Sequence, residues 1–463
     1  LQQRWLEWDR EEMRAAGYRV IDALVERYAT LADWHTGVKA DPAVLRPKLR
    51  ESLREEPAAF DAVWQELQRE ILAHNGVIDH PRFFAFVPGP GNYVSALGDA
   101  VASGYNIFAG TWLEGSGATA AELAVVDWLR VEVGFPETAG GLFVSGGSVA
   151  NITALVAARE TRLGGDFGRA RIYCSAQTHS SVERGLRIIG FRADQIVRVP
   201  AVDGRMQVSE LSRAVTNDRA AGWTPFCVVA NAGTTNTGAV DPLPELARLA
   251  RREQLWLHAD GAYGAAAVIC ERGKRELRGL ELVDSLSLDP HKWLFQPFEC
   301  GCVLLRDASL LRKTFAVYPD YLADVHRHDT EVNLCDYGVQ LTRGARALKV
   351  WLSLRVFGKA QFRAAVERGF VLAEQAEQLI AATPGLSVVS PAQMAVVCFR
   401  ADGSDELQTR IVDAMLAEGF AFLTSTKWNG ATVLRLCTIN PRTTEEDLQR
   451  TIARVADWAR RLQ

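Results

Sequence analysis

The sequence has 463 residues, of which 48% are hydrophobic and 23% charged, with 37 Gly and 17 Pro. That usage excludes a disordered chain, a collagen-like fibre and a coiled coil, and the length calls for one large core with one or two smaller partners. Lys and Arg number 52 against 56 Asp and Glu, a net charge of −4, so the basic footprint of a nucleic-acid binder is missing.

The opening segment, LQQRWLEWDREEMRAAG, is charged and lacks the apolar run of a signal peptide, so a cytoplasmic protein is expected. Residues 6 to 75 read as helices, with Met13, Tyr18, Ile21, Leu24 and Tyr28 on one helical face. Three short helices bury little alone, so this face is expected to rest on the chain's own large domain or on a second chain. From about residue 117, helical stretches alternate with apolar runs at 142–145, 171–175, 195–199, 226–231, 255–260, 284–289 and 300–306. Seven strands, most of them divided by helices, predict an α/β domain with a mainly parallel sheet. The last two runs lie close enough for a local antiparallel pairing. The polar stretch 318–340 has no period and reads as a long loop, a kind of segment that is often functional.

A helix at about 357–382 opens a smaller α+β unit, with strands LSVVS, AVVCFR, FAFLTS and TVLRLCT and helices near 405–418 and 443–461. The expected division is an N-terminal helical dimerisation segment over 1–88, a large domain over 89–352 and a small C-terminal domain over 353–463. No apolar run is long enough to cross a bilayer. Eight Cys without paired zinc spacing are expected to be buried, reduced thiols, and no metal site is expected.

In such sheets a ligand sits beyond the carboxyl ends of the strands, which directs attention to the residues there. In LSLDPHKW a strand ends at Asp289, Pro290 stops it, and His291 and Lys292 project into the ligand zone. A lysine is ordinarily a solvated surface charge. One that follows a buried strand between Pro, His and Trp can have its pKa lowered by burial and form a Schiff base with an aldehyde. LWLHAD ends in Asp260, which reads either as a helix N-cap or as a fixed anion facing a protonated ring nitrogen. After it, Gly261, Ala262 and Gly264 leave room for a flat ring. In GLFVSGGSVAN, Gly146 and Gly147 let backbone N–H groups approach an anion, and Ser148 adds a hydroxyl at a helix N-terminus, where the dipole favours phosphate. The Walker lysine and GxGxxG spacing are missing. His179 follows the strand RIYCS, and Thr234 and Thr235 follow FCVVAN. No Ser–His–Asp set or HEXXH is present. A phosphate turn, a His, a Thr pair, an Asp and a Lys at five strand ends fit pyridoxal phosphate, with Lys on the aldehyde, Asp on the pyridinium and the helix end on the phosphate.

HPRFFAFVPG (80–89), GGS, THSSVERG, GTT, HADGAYG and DPHKW make the chain resemble the group II pyridoxal-phosphate decarboxylases, which include aromatic-L-amino-acid and glutamate decarboxylases. The resemblance spans nearly the whole chain, and the pair DPHKW and HADGAYG is its most specific part. It implies the type I PLP-dependent (aspartate aminotransferase-like) fold, with a mainly parallel seven-stranded sheet. It also implies a homodimer with active sites at the subunit interface, clasped by the N-terminal helices. The cofactor is then pyridoxal 5′-phosphate, held as an aldimine by Lys292. By the same resemblance Asp260 pairs with the pyridine nitrogen, Ala262 packs on one ring face and His179 stacks on the other. Gly147, Ser148 and Thr235 contact the cofactor, mostly at its phosphate. Asp289, where the aromatic enzymes usually carry Asn, and His291 lie on the phosphate side. Tyr321 matches a mobile-loop tyrosine that protonates Cα. Phe86, Val87, Pro88 and Gly89 line the side-chain pocket, with Phe108 and Gly110 entering from the partner. The implied reaction is decarboxylation of an L-amino acid of aromatic type (Trp, Tyr, Phe or DOPA) to the amine and CO₂. Three rivals stand beside it: a decarboxylase of an acidic or diamino acid, with Arg82 the nearest candidate arginine and expected at the surface; an oxidative decarboxylase (aldehyde synthase), disfavoured by Tyr321; and a catalytically silent dimeric binding protein.

Overall fold

Helices come first. In the computed structural model, which describes residues 5–317, 324, 325, 328 and 330–463, α1 (Arg10–Ala29), α2 (Pro42–Ser52) and α3 (Phe60–Glu66) fill the N-terminal segment. Asp9 starts α1 through a capping box, its side chain accepting from the Glu11 and Glu12 N–H groups while the Glu12 carboxylate reaches back. No residue of α1 is fully buried; of the predicted apolar face Met13 and Tyr18 are 54% and 66% exposed, whereas Ile21, Leu24 and Tyr28 are half-buried, with Tyr28 against the Tyr93 ring. Two further helices, α4 (Tyr93–Gly104) and α5 (Trp112–Val133), lie between this segment and the first strand.

The seven apolar runs form one sheet. Its strands are β1 (Gly140–Val144), β2 (Ala170–Ser175) and β3 (Ile196–Val199), then, after a small hairpin of β4 (Ala201–Val202) and β5 (Arg205–Met206), β6 (Thr224–Asn231), β7 (Trp256–Asp260), β8 (Ser285–Leu288) and β9 (Gly301–Leu305). The spatial order is β1-β9-β8-β7-β6-β2-β3. Neighbours from β8 through to β3 pair in parallel, and β9 runs antiparallel to both β8 and β1. The alternation of side chains across a strand sorts the core into two layers. On β6, Val228 and Ala230 face one apolar layer and Cys227 and Val229 the other. The first layer is covered by α5, α8 (Val208–Ala220), α9 (Leu243–Arg252) and α12 (Ala347–Ala382). The second is covered by α6 (Gly147–Leu163), α7 (Ser180–Ile188) and α11 (Ser309–Phe315). Both faces are buried, which is why the strands read as continuous apolar runs.

A second sheet, ordered β10-β11-β13-β12, is antiparallel throughout: β10 (Leu386–Gln393), β11 (Val396–Ala401), β12 (Thr424–Trp428) and β13 (Ala431–Cys437). It packs with α12, α13 (Asp405–Glu418) and α14 (Glu445–Leu462) around a third core. The helix expected from about 357 begins at Ala347 and breaks at Gly358, where φ is 75° and ψ is 152°. The break resets the helical period, so the pattern reveals only the second half. The strand expected at FAFLTS starts at Thr424, because Phe422 is already committed elsewhere. It forms a parallel bridge with Phe83, and its carbonyl accepts from the Phe84 N–H at 2.7 Å. Phe84 is fully buried there, a contribution of about 2 kcal/mol, and this ties the segment before residue 86 to the small sheet. Among the described residues no helix is long and apolar enough to cross a membrane, and no cluster of His, Cys, Asp and Glu could hold a metal ion.

Candidate active site

Because β2, β6, β7 and β8 run in parallel, their carboxyl ends share one edge, and the residues just past them enclose a cavity of ≈ 320 Å³. Nine predicted residues line it together: Gly147, Ser148, His179, Thr235, Asp260, Ala262, Asp289, His291 and Lys292. Phe86, Val87, Pro88, Gly89, Phe108 and Gly110 do not. Gly89 nevertheless lies against the loop after β8, where an added Cβ would stand 2.3 Å from the His291 carbonyl oxygen. Phe108 and Gly110 sit on a strap fixed to residues 343 and 344, with Phe108 bridged to Gly344 and the Ala109 N–H donating to the Arg343 carbonyl at 2.8 Å. Tyr321 lies outside the described residues. Gln177, Asn231 and Tyr263 also line the cavity. Tyr263 lies within HADGAYG but was not singled out there, and no motif marked Gln177, although each stands a few residues past a strand end.

Asp260 closes β7 and is buried. Its Oδ1 accepts from the Ala262 N–H at 3.3 Å and from the Ser287 hydroxyl at 3.2 Å, two bonds that fix the carboxylate at the sheet edge. Lys292 reaches Asp289 across 3.1 Å. Asp289 is itself buried, and its Oδ1 has no partner. The His291 Nδ1 accepts from the Cys300 N–H at 3.1 Å, and its Nε2 stands 3.5 Å from Asp289. Burial is the main cause that pushes the His291 pKa down, with Asp289 opposing it. His179 is the N-cap of α7, its Nδ1 accepting from the Ser181 N–H at 3.2 Å.

The turn from β1 into α6 is built for a small, charged visitor. The first N–H groups of α6 have no partner within the helix. A Cβ on Gly147 would stand 2.7 Å from the Ala262 Cβ and 3.0 Å from the Asp289 carboxylate, so only glycine leaves the space open. A helix N-terminus, an amine, a fixed carboxylate and a flat-walled gap therefore surround one cavity, the donor set that an aldehyde-bearing aromatic phosphate requires.

The model of the pyridoxal-dependent decarboxylase conserved domain matches residues 42–402. The chain belongs to this family. It is 45% identical over 453 residues to an aromatic-L-amino-acid decarboxylase of Bacillus atrophaeus, covering 96% of this chain and 94% of that one. It is 30% identical over 460 residues to a phenylacetaldehyde synthase of Arabidopsis thaliana, covering 95% and 94%. The crystal structure of Oryza sativa TDC with PLP and tryptamine superposes with a TM-score of 0.93 at 28% identity, covering 99% of this chain and all of that one. The cofactor of this decarboxylase is pyridoxal 5′-phosphate. The unpartnered Asp289 oxygen, the glycine gap and the Lys292 amine are the features of the chain itself that fit it.

One expectation is corrected. Arg82, expected at the surface, is buried and committed to structure. It pairs with Asp447 at 3.0 Å, donates to the carbonyls of Ala32 and Phe420, and lies over the Phe420 ring. These guanidinium contacts place it between α14 and the N-terminal segment, and it does not line the cavity.

Proposed function

We propose that this protein decarboxylates an aromatic L-amino acid, of the Trp, Tyr, Phe or DOPA type, to the amine and CO₂. The observation that carries this reading is the convergence of Lys292, Asp260, His179 and the α6 N-terminus on one cavity, in a chain 45% identical to an aromatic-L-amino-acid decarboxylase. In this reading the protein is a cytoplasmic homodimer, divided as 1–88, 89–352 and 353–463. The exposed apolar face of α1 rests on the partner, and Phe108 and Gly110 complete the partner's pocket.

When bound, pyridoxal phosphate supplies an electron sink for the pair left on Cα as CO₂ departs. Lys292 would hold the aldehyde through its Nζ amine, which stands 3.1 Å from Asp289 at the cavity. Asp260, pinned by Ser287 and the Ala262 N–H, keeps a proton on the ring nitrogen. Each 1.36 kcal/mol by which that charge favours the transition state is worth about tenfold in rate. Gly147, Ser148 and Thr235 would bind the phosphate, with Asp289 and His291 beside them. Ala262 and His179, which both line the cavity, would hold the ring between them. Phe86, Val87, Pro88 and Gly89 hold the side chain so that the scissile bond stands across the ring plane, a positioning task. Tyr321 delivers a proton to Cα, giving the amine.

The reading for an acidic substrate loses its candidate, because Arg82 is occupied by Asp447. The test is a panel of L-amino acids with CO₂, amine and H₂O₂ measured together. Equal CO₂ and amine from aromatic substrates without H₂O₂ is expected, and CO₂ only from acidic substrates would overturn the assignment. Tyr321→Phe is expected to shift product from amine toward aldehyde, with H₂O₂ formed in step. Unchanged amine output would remove Tyr321 from the mechanism.

A further inference from the structure

Behind the cavity runs a line of hydrogen bonds that the reaction described above does not use. The Trp256 Nε1–H donates to the Ser285 Oγ at 2.8 Å. The Ser285 Oγ lies 2.8 Å from the His258 Nδ1, and the His258 Nε2 lies 2.9 Å from the Asn151 Oδ1. The Asn151 Nδ2 donates to the Ser181 Oγ at 3.2 Å, and that oxygen lies 2.8 Å from the His179 Nδ1. Trp256, Ser285, His258, Asn151 and Ser181 are all buried, and His179 lines the cavity.

The His179 end of this line fixes its direction, and the Trp256 end agrees with it. An indole N–H can only donate, so Ser285 accepts from Trp256, and its own proton is left to turn to the His258 Nδ1. A neutral His258 then carries its proton on Nε2, which suits an amide oxygen, and burial favours that neutral form by pushing the His258 pKa down. The Asn151 amide is thereby set with its nitrogen toward Ser181. At the far end, the Ser181 backbone N–H already points at the His179 Nδ1, which must therefore be an acceptor. The Ser181 hydroxyl can join it only as a second donor, and Asn151 leaves it free to do so. Every proton in the row points the same way, from a tryptophan in the core to the ring at the cavity.

We infer that His258, acting through Asn151 and Ser181, is a positioning residue for His179, fixing that ring's rotamer and placing its proton on Nε2. A histidine at the mouth of a helix, exposed to a cavity, otherwise turns about its terminal torsion among broad wells. Two donors on one nitrogen remove that freedom before any ligand arrives. The inference rests on the proposed role of His179 against the cofactor ring only for its effect on rate; the effect on the ring itself is independent of it.

The test uses substitutions that change one atom's polarity. Asn151→Asp keeps the shape but replaces the donor facing Ser181 by an acceptor, so the Ser181 hydroxyl must turn away from His179. Ser181→Ala deletes that hydroxyl. Ring ¹⁵N signals of His179, assigned by their loss in His179→Gln, are read in cofactor-free full-length protein. Wild type is expected to show one ring state protonated at Nε2; each variant is expected to shift and broaden the Nδ1 signal. In the holoenzyme, kcat is expected to fall about three- to tenfold, the scale of one hydrogen bond, with KM nearly unchanged. The double variant should be no worse than Ser181→Ala alone, since both changes act on one hydroxyl. Multiplying effects, or a His179 signal in Asn151→Asp identical to wild type, would overturn the inference. Should the buried Asp prevent folding, His258→Leu and His258→Gln decide instead. The amide can accept from Ser285 and donate to Asn151, so Gln is expected to restore the His179 signals that Leu loses, and equal signals in both would refute the relay. Failure of the wild type to release CO₂ from any aromatic amino acid would sink the proposed function while leaving these ring signals as they are.

Discussion

The carboxyl edge of the large sheet and the first helix treat their side chains in opposite ways. At the sheet edge, Asp260, Lys292, His291 and His179 are each held by a group from the same chain at 3.5 Å or less. On α1, Met13 and Tyr18 lie open to solvent, although they belong to a face whose spacing marks it as made to be covered. The contrast separates two kinds of completeness. The polar groups of the cavity are held within the chain's own fold, whereas the apolar side chains of Met13 and Tyr18 on the N-terminal helix are left open by it.

The largest expected effect lies in the cradle. Lys292→Ala should lower kcat by about 10³-fold or more, the scale of losing a catalytic group, and leave the cofactor removable by dialysis. Activity near that of wild type would dissolve the distinction between the two regions. Next comes the scaffold behind the strap that carries Phe108. Arg343 and Glu122 form a fully buried pair at 2.5 Å, and Arg343 also donates to the carbonyls of Ala109 and Phe143. Burial raises the Glu122 pKa, and Arg343 opposes the rise. Arg343→Met leaves a buried carboxylate without its cation, so a loss of about 3–5 kcal/mol is expected in urea unfolding.

A third measurement compares the regions by pH. Burial pushes His80 from 6.5 to about 4 and also pushes His258 down. Between those values the unfolded chain takes up protons that the folded one refuses. Stability should therefore fall as pH drops from about 6.5 toward 4, by up to about 3 kcal/mol for a single such histidine. Urea midpoints at pH 7, 5.5 and 4.5 would show it, and a flat profile would remove both histidines from the core account. The smallest effect belongs to α1. Met13→Ser with Tyr18→Ser should change the unfolding free energy of the isolated chain by less than about 0.5 kcal/mol for each site. Sedimentation should nevertheless reveal a weaker dimer, and an unchanged association constant would show that the open face has another use.

Much of the cradle was legible because its physics is local. A strand buried on both faces is a run of apolar residues, and where it stops at Asn231, Asp260 or Leu288 the next few residues must face the ligand edge. Lys292 stood out by its neighbours, and the glycine turn by its composition. Other features depend on distance along the chain. Asn151 and His258 are 107 residues apart, and each looks like an ordinary member of its own helix or strand. Arg82 meets an aspartate 365 residues away, and nothing beside it in sequence foretells that. Helix α4 was missed because small residues and glycines blur its period, and the start of α5 before residue 117 because the helix leaves helical geometry at Gly115. The first half of α12 was hidden by its break at Gly358.

All eight cysteines are buried, and burial pushes the thiols of Cys174, Cys270, Cys335 and Cys398 up to about 11. Since the thiolate is the reacting species, an intact molecule should stay silent toward alkylating dyes at neutral pH. An opened one presents every sulfur at once. The chain thus carries its own gauge of conformational integrity, in which the dye taken up per mole counts the molecules that have come apart.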